Sequence, residues 1–167
     1  DHWEMVVMSP GNTYRGVREF MARNLVKNSY PINEQNADKI SAILKPYRGQ
    51  QKYIVMRCDG NNEYIIEIIA KNIGIPVVKY NSTTKHVSKK AKRNGQVAVD
   101  VSILDKKPEQ LTLFLIKGML RMGKELPKKH LCAVYESAQN SKNNTILQAL
   151  LGRVCGYYTD DMGDIVI

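Results

Sequence analysis

The sequence predicts an α/β fold, a parallel sheet flanked by helices on both faces, and three observations predict it. From Gln51 onward short apolar runs alternate with helical stripes, as strand–helix–strand units require. The run Leu111–Ile116 (LTLFLI) is apolar nearly throughout, the pattern of a strand covered on both sides. The composition, 43% hydrophobic and 25% charged over 167 residues, is that of a globular chain long enough for a real core.

Residues 1–50 read as a lead-in arm that packs on the lobe. Ser9-Pro10-Gly11 through Gly16 is loop-like, and Val17–Lys27 reads as helical. In residues 33–45 Asn33 is a cap, Glu34 lies in the first turn, Lys45 in the last, and Pro46 is a stop. Residues 51–167 form the main domain. Lys52–Arg57 (KYIVMR) is a strand ending in the turn Cys58-Asp59-Gly60. Asn61 and Asn62 then cap a helix whose Ile66, Ile69, Ala70 and Ile73 make one apolar stripe, and Gly74 ends it. Ile75–Tyr80 (IPVVKY) is a second strand with Pro76 at its mouth. Gln96–Val101 alternates with period two, as a short edge strand does, and Asp105–Pro108 is a turn. Leu111–Ile116 and Leu131–Tyr135 are further strands. Asn143 and Asn144 precede a helix carrying Leu147, Leu150, Leu151 and Val154, and Asp164–Ile167 begins a last strand. Ligands of such sheets sit beyond the carboxyl ends of the strands.

The net charge is +9, and its distribution is uneven. Between Lys79 and Arg93 stand six Lys/Arg and no acid, and Lys117, Arg121, Lys124, Lys128 and Lys129 form a second group. A solvated face is the plain reading of one such run; two runs that each follow a strand point to a phosphate backbone. No apolar run approaches the ~20 residues of a membrane-spanning helix, and no basic region leads into an apolar stretch at the N-terminus. Cys58, Cys132 and Cys155 form no C-x-x-C pair, so an intracellular, thiol-reduced protein with no metal site and no membrane partner is expected. A chain beginning at Asp1 reads as a fragment or a processed product.

Gly118–Glu125 (GMLRMGKE) is one residue short of the phosphate-binding pattern G-x-x-x-x-G-K-[ST]. Glu125 sets a carboxylate where a magnesium-binding hydroxyl must stand, and Pro127 arrives where a helix must open. A nucleotide-binding enzyme built on this loop is therefore the least favoured reading.

The same stretch, Leu113–Pro127 (LFLIKGMLRMGKELP), resembles the fifth motif of superfamily 2 helicases. Lys117 takes its polar position, Gly123 its Gly, Glu125 its Asp and Pro127 its Pro. Gln148–Arg153 (QALLGR) resembles the sixth motif, Q-x-x-G-R-x-x-R, and the strand KYIVMR resembles the fourth. The likeness covers residues 51–167 and is greatest to helicase-like proteins of phages and large DNA viruses. It departs at three places: Gln148 stands five residues before Arg153, Gly156 occupies the position of the second arginine, and Glu125 is one methylene longer than Asp.

What the resemblance implies is the second, C-terminal RecA-like lobe of an ATP-dependent nucleic-acid helicase or translocase, a DNA- or RNA-binding hydrolase inactive without an upstream P-loop lobe. ATP and Mg2+ would be held mainly by that first lobe. Arg153 would be its arginine finger, the single catalytic residue contributed here, since such a guanidinium stabilises charge on the transferred phosphoryl group. Gly123, Glu125, Gln148 and Gly152 would border the nucleotide, Glu125 accepting ribose hydroxyls. Arg57, Ser82, Thr83, Thr84, Lys85, Lys117, Gly118 and Arg121 would hold backbone phosphates without reading bases. The alternative is a non-enzymatic nucleic-acid-binding module on the same fold. Either reading needs Arg153 outside the core, at the same sheet end as Lys117 and Lys85.

Overall fold

The computed structural model describes residues 11–58, 61–81, 99–118, 125–136 and 150–167. A short strand β1 (Tyr14–Arg15) leads into α1 (Val17–Ala22) and α2 (Ala37–Leu44). Then come β2 (Tyr53–Cys58), α3 (Glu63–Ile73), β3 (Val77–Tyr80), β4 (Thr112–Lys117), β5 (Leu131–Glu136), α4 (Leu150–Val154) and β6 (Gly156–Tyr157). The main sheet has four strands in the order β3-β4-β2-β5, all parallel. The two central strands, β2 and β4, are the most apolar, as a sheet covered on both faces requires. Near the chain's end Val166 bridges Ala133 in parallel, exchanging backbone hydrogen bonds of 2.8 and 3.0 Å with β5. The expected last strand is thus a single bridge.

Two cores lie on either side of the sheet, and strand alternation sorts residues between them. Ile54 and Met56 of β2 and Leu113 and Leu115 of β4 face α2 and α3. Tyr53, Val55, Phe114 and Ile116 face Phe20 of α1 and Leu150 and Val154 of α4. The alternation slips once, between Tyr53 and Ile54, where β5 skips a residue in register. There Cys132 and Ala133 both join the α2–α3 core, as an extra residue in a bulge does.

Helix α3 forms because Ile66, Ile69, Ala70 and Ile73 bury one stripe against the sheet and α2. Gly74, at φ 77°, ends it in a left-handed turn: its N–H donates to the Lys71 carbonyl and that of Ile75 to Ala70. Asn62 is the residue before the helix, but its side chain makes no capping bond. Ahead of α2, the Asn33 side chain accepts from the Asn36 N–H at 3.0 Å.

Two expected elements differ. The helix expected over Val17–Lys27 stops at Ala22, with Asn24 at φ 56° turning the chain away. The edge strand expected over Gln96–Val101 is not present at 99–101. Instead Val101–Asp105 is a 3-10 turn, because Val101 and Leu104 are buried together at a spacing of three, which that turn brings to one side. Residues 96–98 lie outside the described residues. Among the described residues no helix is long and apolar enough to cross a membrane.

Candidate site at the carboxyl edge of the sheet

The parallel strands end together, so their last residues share one edge, split by strand alternation into two faces. On the α3 face, Lys117 at the end of β4 meets Glu63 in the first turn of α3, Nζ to Oε2 2.9 Å. Lys79 of β3 reaches the other Glu63 oxygen at 3.0 Å and also pairs with Glu67. The hydrogen bonds from Lys117 and Lys79 hold the Glu63 carboxyl below its usual range. Glu63 in turn raises the Lys117 ammonium, while Glu67 and then Glu63 raise Lys79. These cations are committed to acids of this chain.

On the opposite face the pairing is different. Arg57 and Glu136 are register partners at the ends of β2 and β5. Arg57 Nη1 donates to Glu136 Oε1 at 3.1 Å, and the Leu150 N–H donates to Oε2 at 2.9 Å. Arg57 Nε is buried and has no hydrogen-bond partner among the described residues. Arg153, one turn further along α4, is 7% exposed. Burial first, then the charge of Arg57, pull its guanidinium below the usual arginine range, while Glu136 pushes it back up. It stays a cation near neutral pH regardless.

The segment after β4 and helix α4 meet here. The Leu126 N–H donates to the Arg153 carbonyl at 3.3 Å. Glu125 is exposed and accepts from Lys128 Nζ at 3.3 Å. Residues 125–130 form no helix, which removes the support a phosphate-binding loop at 118–125 would need. Beyond β5 a cavity of about 370 Å³ opens between Tyr47, Val134, Leu150 and Ile167, with Glu136 on its wall.

The expected site residues divide accordingly. Arg57, Lys117, Gly118, Glu125, Gly152 and Arg153 lie at or beside the carboxyl edge, Gly118 with φ +59° and open space around it. Ser82, Thr83, Thr84, Lys85, Arg121, Gly123 and Gln148 lie outside the described residues. One expectation needs correction: Arg153 is not an exposed finger. It is packed under the strand ends beside Arg57 and Glu136, because the stripe of Leu150, Leu151 and Val154 turns most of this helix inward. Lys117 shares its sheet edge but points to the other face. The acids Glu63, Glu67 and Glu136 were missed. Glu136 had a signal, an acid closing the strand Leu131–Glu136 at the end where ligands of parallel sheets bind. Among the described residues no group of three or more His, Cys, Asp or Glu is placed to hold a metal ion.

No family model matches this chain, and no solved structure matches it. The chain is 27% identical over 160 residues to an uncharacterized protein of Acanthamoeba polyphaga mimivirus. That match covers 91% of this chain but 39% of the viral protein, so the chain spans well under half of that relative's length.

Proposed function

We propose that this chain is the second, RecA-like lobe of an NTP-driven nucleic-acid motor, its carboxyl sheet edge facing an upstream P-loop lobe. One observation carries the reading: the hydrogen bond from Leu126 to Arg153 joins the two stretches that resemble motifs five and six, 27 residues apart in sequence, at the edge where parallel sheets bind ligands. The nucleotide would supply the phosphoryl group. This chain would bring the Arg153 guanidinium to it, and the exposed Glu125 carboxylate and Gly152 would border the sugar. Mg2+ has no fitting donor group among the described residues and is left to the other lobe.

The test uses a longer protein that carries this chain behind a P-loop lobe. Arg153→Gln should lower kcat by about 10³ or more, the scale of an arginine finger, with nucleotide affinity nearly unchanged. Residues 1–167 alone should not hydrolyse ATP. Hydrolysis at the normal rate in the variant removes Arg153 from the chemistry. The second reading, a binding module without turnover, is favoured by the burial of Arg153 and by the commitment of Lys117 to Glu63. It predicts salt-dependent binding of single strands and no turnover in any longer form.

A further inference from the structure

We propose that Arg57 and Arg153 form a phosphate-receiving pair whose ligand position is held by Glu136 until a phosphate displaces it. The geometry of the three residues is the basis. Two guanidinium groups approach one carboxylate at the ends of β2 and β5 and on α4, all on one face of the sheet. Arg57 gives Glu136 only Nη1, and its buried Nε–H has no partner among the described residues. A guanidinium presents Nε and Nη as a fork matched to two oxygens of one anion. A carboxylate that also accepts the Leu150 N–H has one oxygen left for Arg57. A phosphate, with three acceptor oxygens and more charge, fills both tines and still faces Arg153.

Glu136 is placed to yield. Its side chain is 24% exposed and that of Arg57 30%, so a ligand reaches the pair from solvent without opening the core. Its acceptor bond to Leu150, at the first described residue of α4, links release of the carboxylate to the helix that carries Arg153. In this way the buried guanidinium becomes available only when an anion replaces the internal one. The biological use of this exchange rests on the motor reading; the binding itself does not. The ligand chemistry is a phosphate oxyanion, from a nucleotide tail or from a nucleic-acid backbone.

The experiment titrates residues 1–167 at low salt with pyrophosphate, with ATP and with oligothymidylate. Three forms are compared: the unaltered chain, Glu136→Gln, and Glu109→Gln as an equal change of charge at an exposed position remote from the pair. Glutamine keeps an acceptor for Leu150 and removes the competing charge. Glu136→Gln should bind about tenfold tighter, the scale of one charge-assisted hydrogen bond. A gain with pyrophosphate and ATP assigns the pair to a nucleotide tail, and a gain with oligothymidylate alone assigns it to a backbone phosphate. No gain with any of them, or an equal gain in Glu109→Gln, overturns the proposal. If Glu136→Gln does not fold, the unaltered chain still decides: the side-chain Nε–H resonances of Arg57 and Arg153 should both move at saturating pyrophosphate, and stationary resonances overturn it. Failure of the motor reading looks different, since it is normal hydrolysis in Arg153→Gln of the longer protein whatever these titrations give.

Discussion

Glu63 decides whether the lysines at the sheet edge are available to a polyanion. It accepts from both Lys117 and Lys79, and its folded carboxyl titrates below the ordinary value of 4.5. A depressed carboxyl contributes stability that is fully present above 4.5 and is lost as pH falls through the lower folded value. The paired lysines run the opposite way. Raised above 10.5, they contribute below that value and lose it as pH climbs through the higher folded one. The network therefore holds across the whole neutral range, and its contribution is small because the side chains are partly exposed. Glu63→Gln should flatten the acid limb of a urea-midpoint against pH profile and change little at pH 7. The same substitution releases two cations. Single-strand affinity should rise, and its salt dependence should steepen by up to about 2 in log–log slope, one unit or slightly less per added phosphate contact. Unchanged affinity and slope would place the nucleic acid, if any, away from this face.

Among the elements, the pairing of β1 with β6 accounts for one departure from the helicase pattern. Gly156 stands where that pattern has its second arginine, and its backbone is at φ +139°, a conformation open only to glycine. It is the register partner of Arg15, and a Cβ added there would lie 3.1 Å from Lys128 Nζ. Restoring the arginine should therefore harm the fold rather than repair a motor. Gly156→Arg is expected to cost about 1–3 kcal/mol, the usual range for a forced backbone outlier, read as a drop in the denaturation midpoint. A variant as stable as the parent would mean the β1–β6 turn relaxes freely. The same comparison explains what was legible in the sequence. Strands β2, β4 and β5 and helix α3 announce themselves because burial on both faces, or on one helical stripe, leaves a local apolar period. The Arg57–Glu136 pair does not, because it depends on the register between strands 79 residues apart. Arg153 was legible as a chemical group but not as a buried one, since its neighbours in space come from two other strands and a loop. The turn at Val101–Asp105 was misread because two buried residues three apart imitate part of an alternating run.

At the scale of the molecule, residues 11–50 supply part of both cores. Phe20 packs on the α4 face, edge-on to Tyr158, while Ile40 and Leu44 cover α3 on the other. The chain's end is tied to the same segment, Lys27 N–H to the Ile167 carbonyl at 2.7 Å and Ile167 N–H to Leu25 at 2.8 Å. Arg15 and Arg23 both reach Asp164 at 2.9 Å. Removing a large buried side chain costs about 2–5 kcal/mol, and a whole domain is stable by only about 5–15 kcal/mol. The loss of Phe20, Ile40 and Leu44 together is thus of the same size as everything that holds the fold. A fragment of residues 51–167 should lack a cooperative urea transition, bind a hydrophobic dye and self-associate. A fragment that unfolds in one sharp step at the midpoint of the full chain would show that the sheet and its two remaining helices suffice. The arm would then be free to serve contacts with another lobe instead of the core, and the sheet edge would have to be positioned by α3 and α4 alone.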